Sequence, residues 1–137
     1  MTDMPSVYEF SEDIGNAEAP SPLPVGDYRA SVRHVEAGIS KSSGKKMMVV
    51  TYIVSADQFP ADFTEGNPDG ESFKVYQSLE DTPRNRFMLR KFCEMHGVAP
   101  SKRINLPDFM GTEVILNVSH EEYQGMPVGR ANPVRAV

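Results

Sequence analysis

The run Met47-Met-Val-Val-Thr-Tyr-Ile-Val54 puts apolar side chains on both faces of an extended strand, with Met48, Val50, Tyr52 and Val54 against Met47, Val49 and Ile53. A strand with one wet face alternates apolar and polar residues, so one that does not alternate belongs in the middle of a sheet. One face then meets a core and the other meets something else, read here as a ligand. The preceding stretch, Gly38-Ile-Ser-Lys-Ser-Ser-Gly-Lys-Lys46, predicts a mobile loop with Lys41, Lys45 and Lys46 at its tip. Cations on a Gly/Ser loop can follow a phosphate backbone without reading base sequence.

The rest of the chain supplies partners for this strand. Gly26 to Glu36 alternates, with Tyr28, Ala30 and Val32 on one side and Arg29, Ser31 and Arg33 on the other. The alternation slips after His34, which predicts a bulge and a bent strand. Residues 57–70 read as a long connection ending in a turn at Asp69-Gly70. Glu71 to Leu79 follows as a strand, with Phe73, Val75 and Leu79 inward and Lys74, Tyr76 and Ser78 outward. Asp81 or Thr82, then Pro83, opens a helix that Gly97 closes. Its expected buried stripe is Met88, Leu89, Phe92 and Met95, with Cys93 beside it. Arg84, Arg86, Arg90, Lys91 and Glu94 fall largely on the wet side and form a second basic surface. Gly111 to His120 reads as a fourth strand and Glu121 to Gly125 as a hairpin loop. Met126 to Val137 returns as a fifth strand, which Pro133 confines to an edge or a bulge.

Three strands, a helix and two strands predict a mainly β protein: a five-stranded OB-fold barrel with one helix between strands 3 and 4. Another small barrel or sandwich has the same count of elements. The expected division is an acidic N-terminal arm, residues 1–24, and an OB-fold domain, residues 25–137. The arm holds Asp3, Glu9, Glu12, Asp13 and Glu18 and no base. Removing these five from the chain's 19 acids leaves 14, equal to its 14 lysines and arginines, so the net charge of −5 resides in the arm. A neutral body can still carry a basic face. The arm's Val7, Tyr8, Phe10 and Ile14 could dock on the body or on a partner, and its charge could compete with nucleic acid for a basic groove.

Several function classes are not expected. No apolar run approaches the length of a membrane span and no signal segment opens the chain, so no membrane association and a cytoplasmic location are expected. The one cysteine, Cys93, suits a reducing compartment. The segment Gly38…Gly44-Lys45 has five residues between its glycines, has Lys46 where a P-loop needs Ser or Thr, and precedes a strand instead of a helix. Cys93 and His96 lie three apart without a second pair to complete a metal site, and read instead as residues in or beside the helix's buried stripe. His34 and His120 fall on different strands, and Glu121 and Glu122 are adjacent hairpin acids. No catalytic residue, metal or cofactor is therefore assigned, and the chain is not expected to be an enzyme.

Sequence-tolerant binding of a single strand needs aromatic faces for bases and cations for phosphates in one groove. The candidate DNA-binding residues are Arg29, Arg33, Lys41, Lys45, Lys46, Tyr52, Lys74, Tyr76 and Tyr123.

Five segments in order carry a resemblance: Tyr8-Glu-Phe-Ser-Glu-Asp-Ile14, Leu23-Pro-Val-Gly-Asp-Tyr28, Ser40-Lys-Ser-Ser-Gly44, Gly111-Thr-Glu-Val and Glu122-Tyr-Gln-Gly125. In this respect the chain resembles a family of small bacteriophage early proteins of the OB-fold single-stranded-DNA-binding type. The resemblance implies single-stranded-DNA binding in phage replication or recombination, in the host cytoplasm, with other replication proteins as further partners and homo-oligomerisation left open. The chain ends Pro133-Val-Arg-Ala-Val137, unlike the acidic tails of bacterial single-strand binders. The alternative is a non-enzymatic structural or adaptor protein of a phage particle or replisome, with the arm as its docking element.

Overall fold

A computed structural model describes residues 4–137, which form one antiparallel five-stranded sheet and one α-helix. The strands are β1 (Gly26–Ile39), β2 (Lys46–Val54), β3 (Glu71–Ser78), β4 (Glu113–Tyr123) and β5 (Met126–Ala136), and α1 spans Pro83–Met95. Their order across the sheet is β3-β2-β1-β4-β5. Strand β1 is central because it is long enough to serve two partners. Its first half, Gly26 to Ser31, pairs with β4, and its second half, Ser31 to Ile39, pairs with β2. The β1–β2 register shifts between Val32 and His34, so Arg33 is the extra residue of the expected bulge. At that bend the Val32 N–H donates to Thr112 and the Gly111 N–H donates to the Val32 carbonyl, at 2.8 and 3.0 Å. Beyond the end of β2, the side-chain amide of Gln58 takes over its role. Gln58 accepts from the Arg29 N–H at 2.9 Å and donates to the Arg29 carbonyl at 2.6 Å.

The two faces of β2 have different environments. Met48, Val50, Tyr52 and Val54 are fully buried, whereas Met47, Thr51 and Ile53 are half-buried. Full burial of an aliphatic side chain of this size contributes about 1.5–3 kcal/mol, so this inner row is the principal cohesive element. Val32, Val114, Leu116, Val118 and Phe109 join it. Leu23, on the arm side of the expected boundary, is also buried, and its carbonyl accepts from His120 Nε2 at 2.7 Å. Strands β3 and β5 are not joined by a hydrogen-bond ladder, although Phe73 packs close over Gly129.

Helix α1 is capped as its sequence dictates. Thr82 Oγ1 accepts from the Asn85 N–H at 3.1 Å, and Pro83 occupies the first helical position. At the other end Val98 N–H bonds to the Cys93 carbonyl and Gly97 N–H to the Glu94 carbonyl, a Schellman motif. The buried stripe differs from expectation. Phe92, Cys93 and His96 are buried with Leu89 and Met95 partly covered, while Met88 is 47% exposed. Leu89, Phe92, Cys93 and His96 recur at i, i+3, i+4 and i+7, so they share one face and Met88 lies off it.

Candidate nucleic-acid interface

The outer faces of β1, β2 and β3 form a continuous surface because their registers align its residues in rows. From one end these are Ser31–Ile53–Ser72, His34–Thr51–Lys74, Glu36–Val49–Tyr76 and Gly38–Met47–Ser78. Val49 is only 9% exposed although it faces outward, being flanked by Glu36 and Tyr76. Tyr76 itself is 61% exposed, paired with Val49 of the apolar strand β2, with Lys74 two residues away on the same face. This geometry offers a stacking platform beside a cation. His34 Nε2 lies 3.4 Å from a Glu36 carboxylate oxygen, so the surface also carries acid.

The β1–β2 connection extends this surface as a hydrogen-bonded turn. Ser40 N–H bonds to the Lys45 carbonyl at 2.9 Å and Gly44 N–H to the Ser40 carbonyl at 2.7 Å. Ser40 Oγ also lies 3.1 Å from Ser42 Oγ and accepts from the Ser43 N–H at 3.3 Å. Serine side chains therefore help close a compact turn, and Lys41, Lys45 and Lys46 are exposed on it. A held turn presents these charges at lower entropic cost than a loose one would.

The arginines divide between two environments. Arg29 is ion-paired with Glu113 across β1 and β4, so its charge is compensated locally. Arg130 pairs with Glu121 and Arg135 with Asp27, each at 2.9 Å. Asn117 and then Arg135 hold the Asp27 carboxyl below the usual carboxylate range. Arg33, at the bulge, and Lys41, Lys45, Lys46 and Lys74 make no ion pair among the described residues. Among the described residues, uncompensated cations thus accompany β1, β2 and β3, as Arg84, Lys91, Lys102 and Arg103 do around α1, whereas both arginines of β5 are paired with carboxylates.

Two candidate tyrosines do not join this surface. Tyr52 is fully buried on the inner row, where its hydroxyl meets His96 Nε2 at 2.6 Å, so it cannot stack on a base. Tyr123 is 56% exposed at the β4–β5 turn, where Gln124 and Gly125, both at positive φ, make a tight two-residue connection in place of the longer loop expected. Strand β4 pairs with β1 only as far as Gly26 and then runs on, so Tyr123 lies beyond the end of β1 opposite the lysine turn. His34, Val49 and Thr51 also belong to this surface. The bulge at Arg33 turns His34 outward, while Val49 and Thr51 follow the plain alternation of β2.

His96 has both ring nitrogens engaged, to Tyr52 and to the Phe92 carbonyl, which accounts for its place beside Cys93. The arm from Met4 to Pro20 is exposed throughout, including Val7, Tyr8, Phe10 and Ile14, and Asp3 lies outside the described residues. Among the described residues no helix is long and apolar enough to cross a membrane. No protein-family model matches the chain, and no curated protein matches it.

Proposed function

We propose that the chain binds single-stranded DNA with little sequence preference, using the outer faces of β1, β2 and β3. The observation that carries this reading is Tyr76, exposed over Val49, beside Lys74 and in line with the uncompensated lysines of the β1–β2 turn. Aromatic faces that accept any base, combined with cations that follow phosphates, are what sequence-tolerant single-strand binding requires. The helix α1, with Arg86 and Arg90 tied to Asp81 and Glu94, is less suited to entering a major groove. The strand order and the approach of Phe73 to Gly129 support the finer reading of an OB-fold, a partly open barrel whose β2–β3 face is the usual ligand surface. The resemblance to phage early proteins points the same way, toward replication or recombination.

The testing experiment is a fluorescence titration with oligonucleotide, which the chain's five tyrosines and lack of tryptophan make interpretable. Single-stranded oligonucleotide should quench tyrosine emission at low salt, and the affinity should fall steeply as salt rises. Duplex bound as tightly as single strand would overturn the proposal. The adaptor reading is favoured by the arm's exposed apolar side chains and expects no quenching.

A further inference from the structure

Between α1 and the segment 100–104 lies a groove of about 500 Å³ that the DNA-binding proposal does not use. Leu79, Leu89, Cys93 and Ile104 provide apolar lining, and Arg86, Arg90, Lys102 and Arg103 stand around it with Glu80 and Asp81. Asp81 and Glu94 already engage Arg86 and Arg90, while Lys102 and Arg103 make no ion pair among the described residues. An apolar trough with spare positive charge is complementary to a segment that mixes apolar and acidic residues. The chain has such a segment. In Val7-Tyr-Glu-Phe-Ser-Glu-Asp-Ile14, four apolar side chains are interspersed with Glu9, Glu12 and Asp13, and Val7, Tyr8, Phe10 and Ile14 are each more than half exposed.

The two elements sit at opposite ends of β3. The arm is rooted near the strand's start, where Ser21 N–H bonds to Glu65 at 2.7 Å and Pro22 lies with Phe73 against Gly129. The groove begins at Leu79, just past the strand's other end. Strand β3 spans about 26 Å, and seven residues from Ser21 carry Ile14 at most about 23–25 Å even if fully extended, a reach that the turn at Ile14–Asn16 shortens further, so the whole 7–14 segment cannot lie in its own groove. An arm leaving the body at the end away from its own groove is well placed to meet the groove of a neighbour. We infer that residues 7–14 of one copy dock in the α1/100–104 groove of a second copy, apolar side chains into the trough and acids toward Lys102 and Arg103. Arm and groove are different surfaces, so the contact either closes on a pair by reciprocal exchange of arms or links copies in series.

Sedimentation of the nucleic-acid-free full chain over a concentration series tests this inference independently of DNA binding. The wild-type mass should rise progressively beyond the monomer and fall back when salt is added. A double variant Tyr8→Ala/Phe10→Ala should stay monomeric, as should Lys102→Glu/Arg103→Glu, and these exposed substitutions leave the core untouched. Mixing the two variants should restore a two-chain complex that grows no further, because one contributes an intact groove and the other an intact arm. A wild-type chain that remains monomeric throughout, whether its arm is free or folded onto its own body, overturns the inference. So does an arm variant that associates like the wild type, or a mixture that fails to pair.

Discussion

The Tyr52 hydroxyl donates to Nε2 of His96 at 2.6 Å, joining two residues 44 positions apart inside the core. The direction follows from the other nitrogen. His96 Nδ1 lies 2.7 Å from the Phe92 carbonyl, which can only accept, so Nδ1 carries the proton of the neutral ring and Nε2 is the acceptor. Phe92 and Phe109 pack around the imidazole, with ring centroids 4.2 and 5.5 Å away. Strand β2 and the end of α1 are therefore joined by a polar link within an otherwise apolar core.

Losses of the two partners of this link should not add. Tyr52→Phe leaves a buried imidazole nitrogen without a donor and should destabilise by about 1–3 kcal/mol. His96→Leu orphans the tyrosine hydroxyl and should cost a similar amount. The double variant Tyr52→Phe/His96→Leu should be less destabilised than the two single losses added together. Chemical denaturation of the four proteins measures this directly, and strict additivity would mean that the two groups do not interact.

The same histidine gives stability a pH dependence of known sign. Burial lowers the His96 pKa from its ordinary value, opposed by its hydrogen bond to Phe92. In the unfolded chain the ring takes up a proton near about pH 6.5. The contribution is thus fully present above that pH, is lost as pH falls toward the depressed folded-state value, and changes no further below it. The denaturation midpoint should fall on acidification through this window, and the His96→Leu variant should lose that part of the slope.

The local punctuation of this fold was legible in the sequence. Thr82, Pro83 and Gly97 bound the helix as their cap chemistry requires, and the slip in alternation near His34 is the bulge at Arg33. The alternation of β3 likewise fixes Tyr76 outward and Val75 inward. The parts that were not legible depend on long-range partners. The place of His96 in or beside the helix's buried stripe was legible, but its hydrogen bond from Tyr52 on β2, 44 residues away, was not. Tyr52 read as a contact for the same reason, since nothing near it in sequence satisfies its hydroxyl. Arg29 looked free because Glu113, its partner, lies 84 residues away.

Tyr76 and Phe109 separate the proposed surface from the core. Tyr76→Ala should weaken single-stranded-DNA binding by about 1–3 kcal/mol, the usual worth of a stacked base, with little change in melting temperature. Phe109 is fully buried, and Phe109→Ala should cost about 3–5 kcal/mol of stability. Equal losses of melting temperature in the two variants would show that Tyr76 packs as structure.

Gly70 tests how β2 passes into β3. Its φ of +99° lies where side chains are strained, and a Cβ there would meet the Val54 carbonyl at 2.7 Å. Because that neighbour is backbone at the end of a buried strand, it cannot move aside cheaply. Gly70→Ala should destabilise by at least about 1 kcal/mol, despite the entropy that alanine removes from the unfolded chain. Thermal melting is the measurement, and an unchanged or raised midpoint would mean that the turn relaxes without loss.

The lysines and Arg29 should differ in how they respond to salt. A cation with no carboxylate partner can replace condensed counterions on DNA, whereas one already paired must first leave its partner. Lys41, Lys45, Lys46 and Lys74 are of the first kind, and Arg29, bound to Glu113, is of the second. Each lysine changed to glutamine that had touched a phosphate should reduce the slope of log affinity against log salt by about 0.7, the value for single strands. Arg29→Gln frees the Glu113 carboxylate near the β1 edge of the surface, so it should weaken binding at low salt by repulsion while changing the slope less. Titrations of each variant at several salt concentrations give both numbers. A slope that falls as much for Arg29→Gln as for a lysine variant would mean that the Glu113 pair opens when DNA binds.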